Sequence, residues 1–504
     1  WLRTQKKLAF LDISNASISD TIPDWFWEIS SNLSLLNVSF NQLQGQLQNL
    51  FDVAPFADVD FSSNLLEGPI PLPTVEIELL DLSQNQFSGP IPLNISKSMP
   101  NLIFLSLSDN KLTGNIPASI GEMMSLQVID LSYNFLMGSI PASIGNCSFL
   151  KALDLSNNNL PGMIPVPLGQ LNQLQSLHLS NNKLIGKLPS SFQNLSSLET
   201  LDLGNNELSG DIPPWIGDGD NFSKLRILRL RSNAISGEIP SNLSNLSSLQ
   251  VLDLALNNLT GSIPVTFGDF KAMCREQYIN QYLHYGKYRG LYYAESLVVN
   301  IKGGPQKYTK TLSLVTSIDL SSNNLQGEFP DEITKLVGLV ALNLSQNRII
   351  GKIPKSISSL RQLSSLDLSS NRLSGAIPSS MSSLSFLSVL NLSKNNFSGR
   401  IPYTGQMTTF EVSSFAGNPG LCGAPLVLKC PGDDLDKGGT IIDDSSDGFI
   451  DEWFYLSVGV GFAAGILVPM FILAIKKSWR DAYFSFVEKF VNSSVRMKKK
   501  RIAT

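Results

Sequence analysis

LDLSNNNLPGMIP at residues 153–165, LHLSNNKLIGKLP at 177–189 and LDLGNNELSGDIP at 201–213 are one phrase repeated every 24 residues. Working outward in both directions, its internal asparagine recurs from Asn41 to Asn257 and, after a gap, from Asn323 to Asn395. That makes fifteen units, with Ala16 standing where the first would have its asparagine. A fixed period of this length marks a repeat architecture, in which no unit buries its apolar face alone and neighbours must stack. The alternating L-x-L places leucine on the inner face of a short strand and the residue beside it on the outer face. The asparagine amide can satisfy backbone groups where the chain turns out of the strand. The glycine four residues later tolerates positive φ, and the proline three beyond fixes an extended bend with no N–H to satisfy. The expected fold is a solenoid with one long parallel concave sheet.

Composition narrows the function. The chain has 504 residues, 16% charged and 42% hydrophobic, with 37 Gly and 27 Pro along its length. Two His and four Cys supply little for His-based catalysis or a metal site. The net charge of −4 excludes bulk attraction to nucleic acid. H-E-x-x-H, G-x-S-x-G, the P-loop and the kinase motifs are all missing, so an enzyme is not expected and no cofactor or metal is implied.

The full pattern L-x-x-L-x-L-S-x-N-x-L-x-G-x-I-P closely resembles the plant extracellular subtype of leucine-rich repeat. The expected fold class is an α/β-type leucine-rich-repeat solenoid of that plant extracellular subtype, with a parallel concave β-sheet, plus one transmembrane helix from the apolar span described below. The order of segments resembles that of plant receptor-like proteins, which lack a kinase. Repeats at 1–270 (about eleven) precede an island at 271–312 and further repeats at 313–405 (about four). A Cys-containing cap at 406–432, an acidic stretch at 433–453, an apolar span at 454–475 and a basic tail at 476–504 follow. WLRTQKKLAFLDISN (1–15) and YTKTLSLVTSIDLSSN (308–323) resemble the branch that includes receptors for a fungal ethylene-inducing xylanase. The chain opens at Trp1 inside a repeat, without the leader and N-terminal cap of that family, and is read as lacking its N-terminal part.

The 22 residues from Phe454 to Ile475 carry no charge and, as a helix, would cross a hydrocarbon core of about 30 Å. Residues 433–452 hold eight acids and one Lys, whereas 476–504 hold nine Lys/Arg and two acids. The positive-inside rule then sets the tail in the cytoplasm and the repeats outside, a single-pass type I plasma-membrane topology. Thirteen N-glycosylation sequons precede the span: Asn15, Asn32, Asn37, Asn94, Asn146, Asn194, Asn221, Asn242, Asn245, Asn258, Asn343, Asn391 and Asn396. Cys422 and Cys430, just past the last repeat, are expected to form a disulfide closing the open end of the core. Cys147 aligns with inward-facing Leu171 and reads as a buried small hydrophobe; Cys274 is either free or paired outside this sequence.

Binding residues are sought where the repeat is broken. The outer strand position is Asp in nine units, from Asp12 to Asp367, and these carboxylates are expected to stay solvated. His178, Arg229 and Arg231 depart from the consensus with basic groups, and Phe40, Tyr133 and Leu256 with apolar ones. His178 through Leu256 lead into the island and form a candidate binding patch. The island holds seven of the eleven tyrosines, Tyr278, Tyr282, Tyr285, Tyr288, Tyr292, Tyr293 and Tyr308, with seven Lys/Arg against two Glu. Tyr and Arg favour protein contacts, although the same tyrosines could simply dock the island on its own repeats. SLVVNIK and QKYTKTL around Gly-Gly-Pro suggest a β-hairpin folding back on the solenoid.

In the span, Ser457, Gly461 and Gly465 form a small-residue stripe that permits close helix packing. The resemblance implies recognition of an extracellular protein or peptide ligand, a microbial or cell-wall-associated elicitor, in plant defence. It also implies an adaptor leucine-rich-repeat receptor kinase packed on the span and a co-receptor kinase at the C-terminal repeats. Developmental peptide signalling is the main alternative. A secreted inhibitor of cell-wall hydrolases would need neither span nor tail, and a truncated receptor kinase lacks support from the short tail.

Overall fold

The computed structural model describes residues 2–431 apart from 6, 49, 219–220, 279–280 and 302–303. Each repeat contributes a three- to five-residue strand to a single 15-stranded parallel sheet. Equivalent residues stand side by side, as in Ala152↔Ser176, Leu153↔Leu177 and Asp154↔His178. The middle leucine of each trio points inward, and one continuous apolar core runs from Leu11 to Leu421. On the far side of each turn, further parallel strands of three to five residues form lateral sheets of four and five strands.

The repeat residues do what their chemistry allows. Asn182 Nδ2 donates to the carbonyls of Leu155, Leu179 and Ser180 at 2.9, 3.1 and 3.3 Å. Its Oδ1 accepts from Leu160 N–H of the preceding repeat at 3.0 Å. The same pattern recurs in neighbouring turns, for example at Asn158 and Asn206. The residue before each ladder asparagine is left-handed, with φ of 55° at Asn181. Gly186 follows at +85°, a conformation closed to most side chains. Pro189 then caps a 3₁₀ turn, Ser190–Asn194, with φ −64° and ψ 132°. The return segments are mostly such 3₁₀ turns rather than the α-helices of an α/β solenoid. Among the described residues the α-helices are the four-residue Trp27–Ser30 and Ile95–Ser98. Units of about 24 residues leave no room for longer ones.

At the C-terminal end, Gly420–Cys422 adds a strand to Asn396–Arg400, and Leu421, Phe410 and Phe415 close the core. Cys422 and Cys430 are bonded, their Cα atoms 5.0 Å apart. Cys147 is buried and unbonded, its thiol pushed up to about 11 by burial, and Cys274 is a half-buried free thiol. The predicted span 454–475 with Ser457, Gly461 and Gly465, the acidic stretch and the basic tail lie outside the described residues. Among the described residues no helix is long and apolar enough to cross a membrane.

Nine of the predicted sequons expose their asparagine: Asn15, Asn32, Asn94, Asn146, Asn194, Asn221, Asn245, Asn258 and Asn396. Asn37, Asn343 and Asn391 are half-buried on the concave face, with Oδ1 accepting from the serine two residues on. Asn242 is half-buried and donates to Pro214 O and Asp218.

Asn182→Leu removes four backbone partners inside the stack. Leaving buried groups unpaired costs roughly 1–3 kcal/mol apiece, so a loss of about 3 kcal/mol or more is expected in urea unfolding. The surface change Lys183→Ala should leave the midpoint nearly unmoved.

Candidate functional site: the island on the concave face

The island leaves the solenoid between the convex turn and the strand of one repeat. Met273 sits in the main core, and the strand Val251–Asp253 pairs directly with Ser317–Asp319, as though nothing intervened. Both ends meet Gly338, whose N–H donates to Met273 O at 2.9 Å and whose carbonyl accepts from Thr316 Oγ1.

Two antiparallel hairpins fill the island. His284–Tyr288 pairs with Leu291–Ala294, and Leu297–Ile301 with Gly304–Tyr308. The second is the hairpin expected around Gly-Gly-Pro. Leu283, Tyr285, Tyr293, Leu297, Val299 and Ile301 pack on Leu79, Phe104, Val128, Ile227 and Val251, forming a second apolar cluster. Those five repeat residues all occupy the strand position before the inward leucine. This stripe was the signal that reading the position after the leucine missed. Leu312 and Val315 join the same cluster. Gly286 passes so close to the sheet that a Cβ there would run into Val128 Cγ2.

Beside the apolar stripe runs a polar chain across six adjacent strands. Tyr293 donates to Asp154 at 2.8 Å; Glu295 takes Ser176 Oγ at 2.8 Å and His178 Nε2 at 2.7 Å. His178 Nδ1 lies 3.5 Å from Asp202, which receives Arg229 at 3.0 Å. Arg231 reaches Asp253 at 2.9 Å and Asp319 at 3.7 Å. Asn300, its amide oxygen turned toward Arg231, accepts from the guanidinium at 2.7 and 3.1 Å. At the hairpin tip, Arg289 pairs with Asp58 at 3.3 Å and Glu78 at 3.0 Å, and Tyr288 donates to Glu78. Buried ion pairs roughly cancel their own desolvation, while each buried Leu, Val or Phe is worth about 1.5–3 kcal/mol. The apolar stripe therefore holds the island down, and the charges fix where it sits.

The electrostatics follow from burial and these partners. Burial alone would lower His178, but the charge of Glu295 and bonds from Asp202 and Glu295 carry it well above its ordinary value. Burial opposes ionisation of Glu295 and Asp202, yet His178 and Arg229 respectively hold both below the usual carboxylate range. Desolvation raises Asp253 to about 6, with Asp319 adding to it, and Asp81 and Asp130 to about 7.

Several expected positions change meaning. Asp154, Asp202, Asp253 and Asp319 are buried rather than solvated, because the island covers them. The aspartates also have a local task, since Asp154 Oδ1 accepts from Ser156 N–H at 2.9 Å and Asp367 from Ser369 at 2.9 Å. His178 and Arg229 are buried and paired, His178 with Glu295 of the island and Arg229 with Asp202 and Asp253 of the repeats, so neither faces solvent. Arg231 is half-buried in the same chain. Phe40, Tyr133 and Leu256 do not lie along the sheet; they occupy the left-handed residue before the ladder asparagine and project at the rim. The tyrosines divide. Tyr285 and Tyr293 are buried, Tyr288 and Tyr308 half-buried, and Tyr278, Tyr282 and Tyr292 exposed. Exposed His284, not singled out in the sequence, stacks between Tyr282 and Tyr292 at centroid distances of 5.5 and 3.7 Å.

Fold and site together define a leucine-rich-repeat solenoid that carries a second folded element on its concave face. The repeats match the family described as Leucine Rich Repeat in ten segments between residues 76 and 406, and its two-copy form over 172–217. The chain is 43% identical to Receptor-like protein EIX2 of Solanum lycopersicum over 97% of its own length and 46% of that protein. It thus spans about half of that relative. Receptor-like protein 7 of Arabidopsis thaliana is 34% identical over 26% of this chain and 11% of that protein. The Arabidopsis receptor kinase HAESA ectdomain bound to an IDA peptide hormone superposes with TM-score 0.68 and 32% identity. That match covers 85% of this chain and 64% of the other. HAESA with IDA and the co-receptor SERK1 gives 0.64 and 30%, over 85% and 68%. The chain belongs to the plant leucine-rich-repeat receptors, and its resemblance within them is to the receptor-like proteins.

Glu295→Ala leaves His178 and Ser176 without their buried partner, a change worth about 3–5 kcal/mol when a buried pair is broken. Amide exchange at Tyr285 and Val299 should speed at least 100-fold, while Leu366 in the distant strand keeps wild-type protection. The wild-type island should also loosen with rising pH. His178 stabilises docking fully below its unfolded value near 6.5 and loses that contribution as pH rises through its raised folded value. Asp81, Asp130 and Asp253, raised to about 6–7, act in the same direction, whereas Glu295 and Asp202, held below the usual carboxylate range, lose theirs as pH falls through their lowered folded values. Island amides should be better protected at about pH 5.5 than at about pH 8.5.

Proposed function

We propose that this chain is the ligand-recognising and membrane-anchoring part of a plasma-membrane receptor-like protein. It senses an extracellular protein or peptide elicitor in plant defence and signals through partner receptor kinases. The observation that carries this reading is the outward aromatic face of an island otherwise fixed to the solenoid. Tyr282, His284 and Tyr292 stack on one another in solvent, and Tyr278 is 81% exposed. An exposed, pre-ordered aromatic surface gives large contact area with few rotors to freeze. In this reading Tyr278, Tyr282, Tyr292 and Leu256 contact ligand or partner. His178, Arg229, Arg231, Tyr285, Tyr288 and Tyr293 hold the surface in position. The span 454–475 packs on an adaptor kinase through Ser457, Gly461 and Gly465, and a co-receptor kinase engages the C-terminal repeats. The presence of SERK1 in the HAESA complex supports the co-receptor element. Developmental peptide sensing is the second reading, favoured by the peptide-hormone complexes among the structural neighbours.

Replacing 274–311 by a short linker should preserve the sheet, since its flanking strands already pair across the island. It also uncovers Leu79, Phe104 and Val128, so a milder variant is needed beside it. Tyr282→Ser with Tyr292→Ser keeps the buried docking surface. Kinase recovery from plant membranes after elicitor treatment should fall at least tenfold with this pair. Unchanged recovery from a receptor that reaches the cell surface rejects the island as the recognition surface.

For the span, Gly461→Ile with Gly465→Ile should reduce adaptor co-precipitation, and bulk away from the stripe, Val460→Phe with Ile466→Phe, should not. Equal recovery from both would move the contact out of the membrane.

A further inference from the structure

After its turn, each repeat runs along a lateral face where Leu112, Leu136, Leu160 and Leu184 point inward and their sequence neighbours outward. On most repeats those outward residues are polar. On three successive repeats they include Phe135 and Met137, Pro161 and Met163, and Ile185. Phe135, Met137, Met163 and Ile185 are 61%, 46%, 70% and 45% exposed. The face is continuous here. Phe135 and Met137 donate their N–H to Leu112 O and Gly114 O at 2.8 Å, and Met163 stands in register beside Ile185. Gly186 leaves room for Met163, since a Cβ there would lie 3.1 Å from Met163 Cγ. The neighbouring exposed sequons, Asn146 and Asn194, close the 3₁₀ turns Ala142–Asn146 and Ser190–Asn194 and do not interrupt this face.

Monomers rarely leave a contiguous apolar patch uncovered, and the charges beside this one select its cover. Lys111 lies one repeat before Phe135, and Glu207 and Asp211 lie one repeat after Ile185; all three are exposed. Along the face the order is therefore basic, apolar over three repeats, then acidic, with about 20 Å from Lys111 to Glu207 at ordinary strand spacing. A second copy laid on this face in the opposite direction sets Lys111 against Glu207 and Asp211 at both ends and apolar against apolar between. The same direction would set lysine on lysine and acid on acid, which is repulsive. A two-fold axis near Met163 makes every such contact twice. We propose that two copies of this chain pair through this lateral face, antiparallel about Met163, with Phe135 and Met137 of each against Ile185 of the other. Lys183 and Lys187, in the repeat of Ile185, lay their apolar stems along the patch and keep their ammonium groups in water. The pairing uses no residue of the island and is independent of the recognition surface above.

The test uses the full chain in plant membranes, with single added cysteines, mild oxidation and the wild-type chain as blank, all at equal surface delivery. Met163→Cys should form a disulfide with the same residue of a second copy. Phe135→Cys and Ile185→Cys should crosslink when the two variants are mixed, and at least tenfold less when either is present alone. Lys111→Glu should cut the Met163→Cys crosslink at least fivefold, and adding Glu207→Lys with Asp211→Lys should restore it. These reversals are expected to fold, because each borrows a residue that the repeat already accepts. Glu207 holds in its own repeat the position of Lys111, and Lys183 and Lys187 hold those of Glu207 and Asp211. Restoration by the combined reversal requires that the two ends of this face meet each other. The pairing is overturned if Met163→Cys forms no crosslink or links to a different protein. It is equally overturned if Phe135→Cys links to itself as strongly as to Ile185→Cys, or if the combined reversal restores nothing.

Discussion

A turn buried inside a stack leaves backbone amides and carbonyls that water cannot reach, and the asparagine amide at each turn satisfies them. Asn182 serves three carbonyls and one N–H across two repeats, and its counterparts do the same along the chain. That bridging ties each repeat's turn to the preceding one and keeps the strands in common register. The leucines supply the burial, but leucine contact is non-directional and would tolerate sliding. Directional bonds from one side chain to two neighbours do not.

Register has a functional consequence. Because equivalent residues line up, the outer strand positions become straight rows across the sheet, and a change of residue type along a row becomes a patch. Leu79, Phe104 and Val128 make one apolar seat in a row that continues through the small Ala152, Ser176 and Thr200 to the apolar Ile227 and Val251. The island packs along this row, and its apolar cluster reaches Ala341. In the neighbouring row, basic groups at His178 and Arg229 replace the usual aspartate under the island. Buried carboxylates Asp202 and Glu295 are thereby neutralised by short-range partners rather than by water.

The aspartate row illustrates how a local role can hide a global one. Each aspartate accepts from the N–H two residues on, which is reason enough for its recurrence. In one repeat in isolation such a carboxylate stands on the outer face in water. Burial came from a segment far away in sequence, so no inspection of the repeat could reveal it. Phe40, Tyr133 and Leu256 stand out in the sequence by their polarity, and only the backbone shows that they sit in a left-handed turn.

The sequence by itself determined everything that recurs or is settled by near neighbours. The 24-residue phrase specified strand, asparagine turn, left-handed glycine and proline-capped return, and the cap cysteines and the Gly-Gly-Pro hairpin needed only contacts within a few residues. Tertiary structure alone decided which tyrosines face inward, and which acids meet which bases. His178 and Glu295 are 117 residues apart, and Tyr288 and Glu78 are 210. The island has no repeat to fix its register, and its position is set by where an apolar stripe and a row of charges coincide on the folded sheet. Such coincidences are properties of the assembled surface and have no counterpart in the order of residues along the chain.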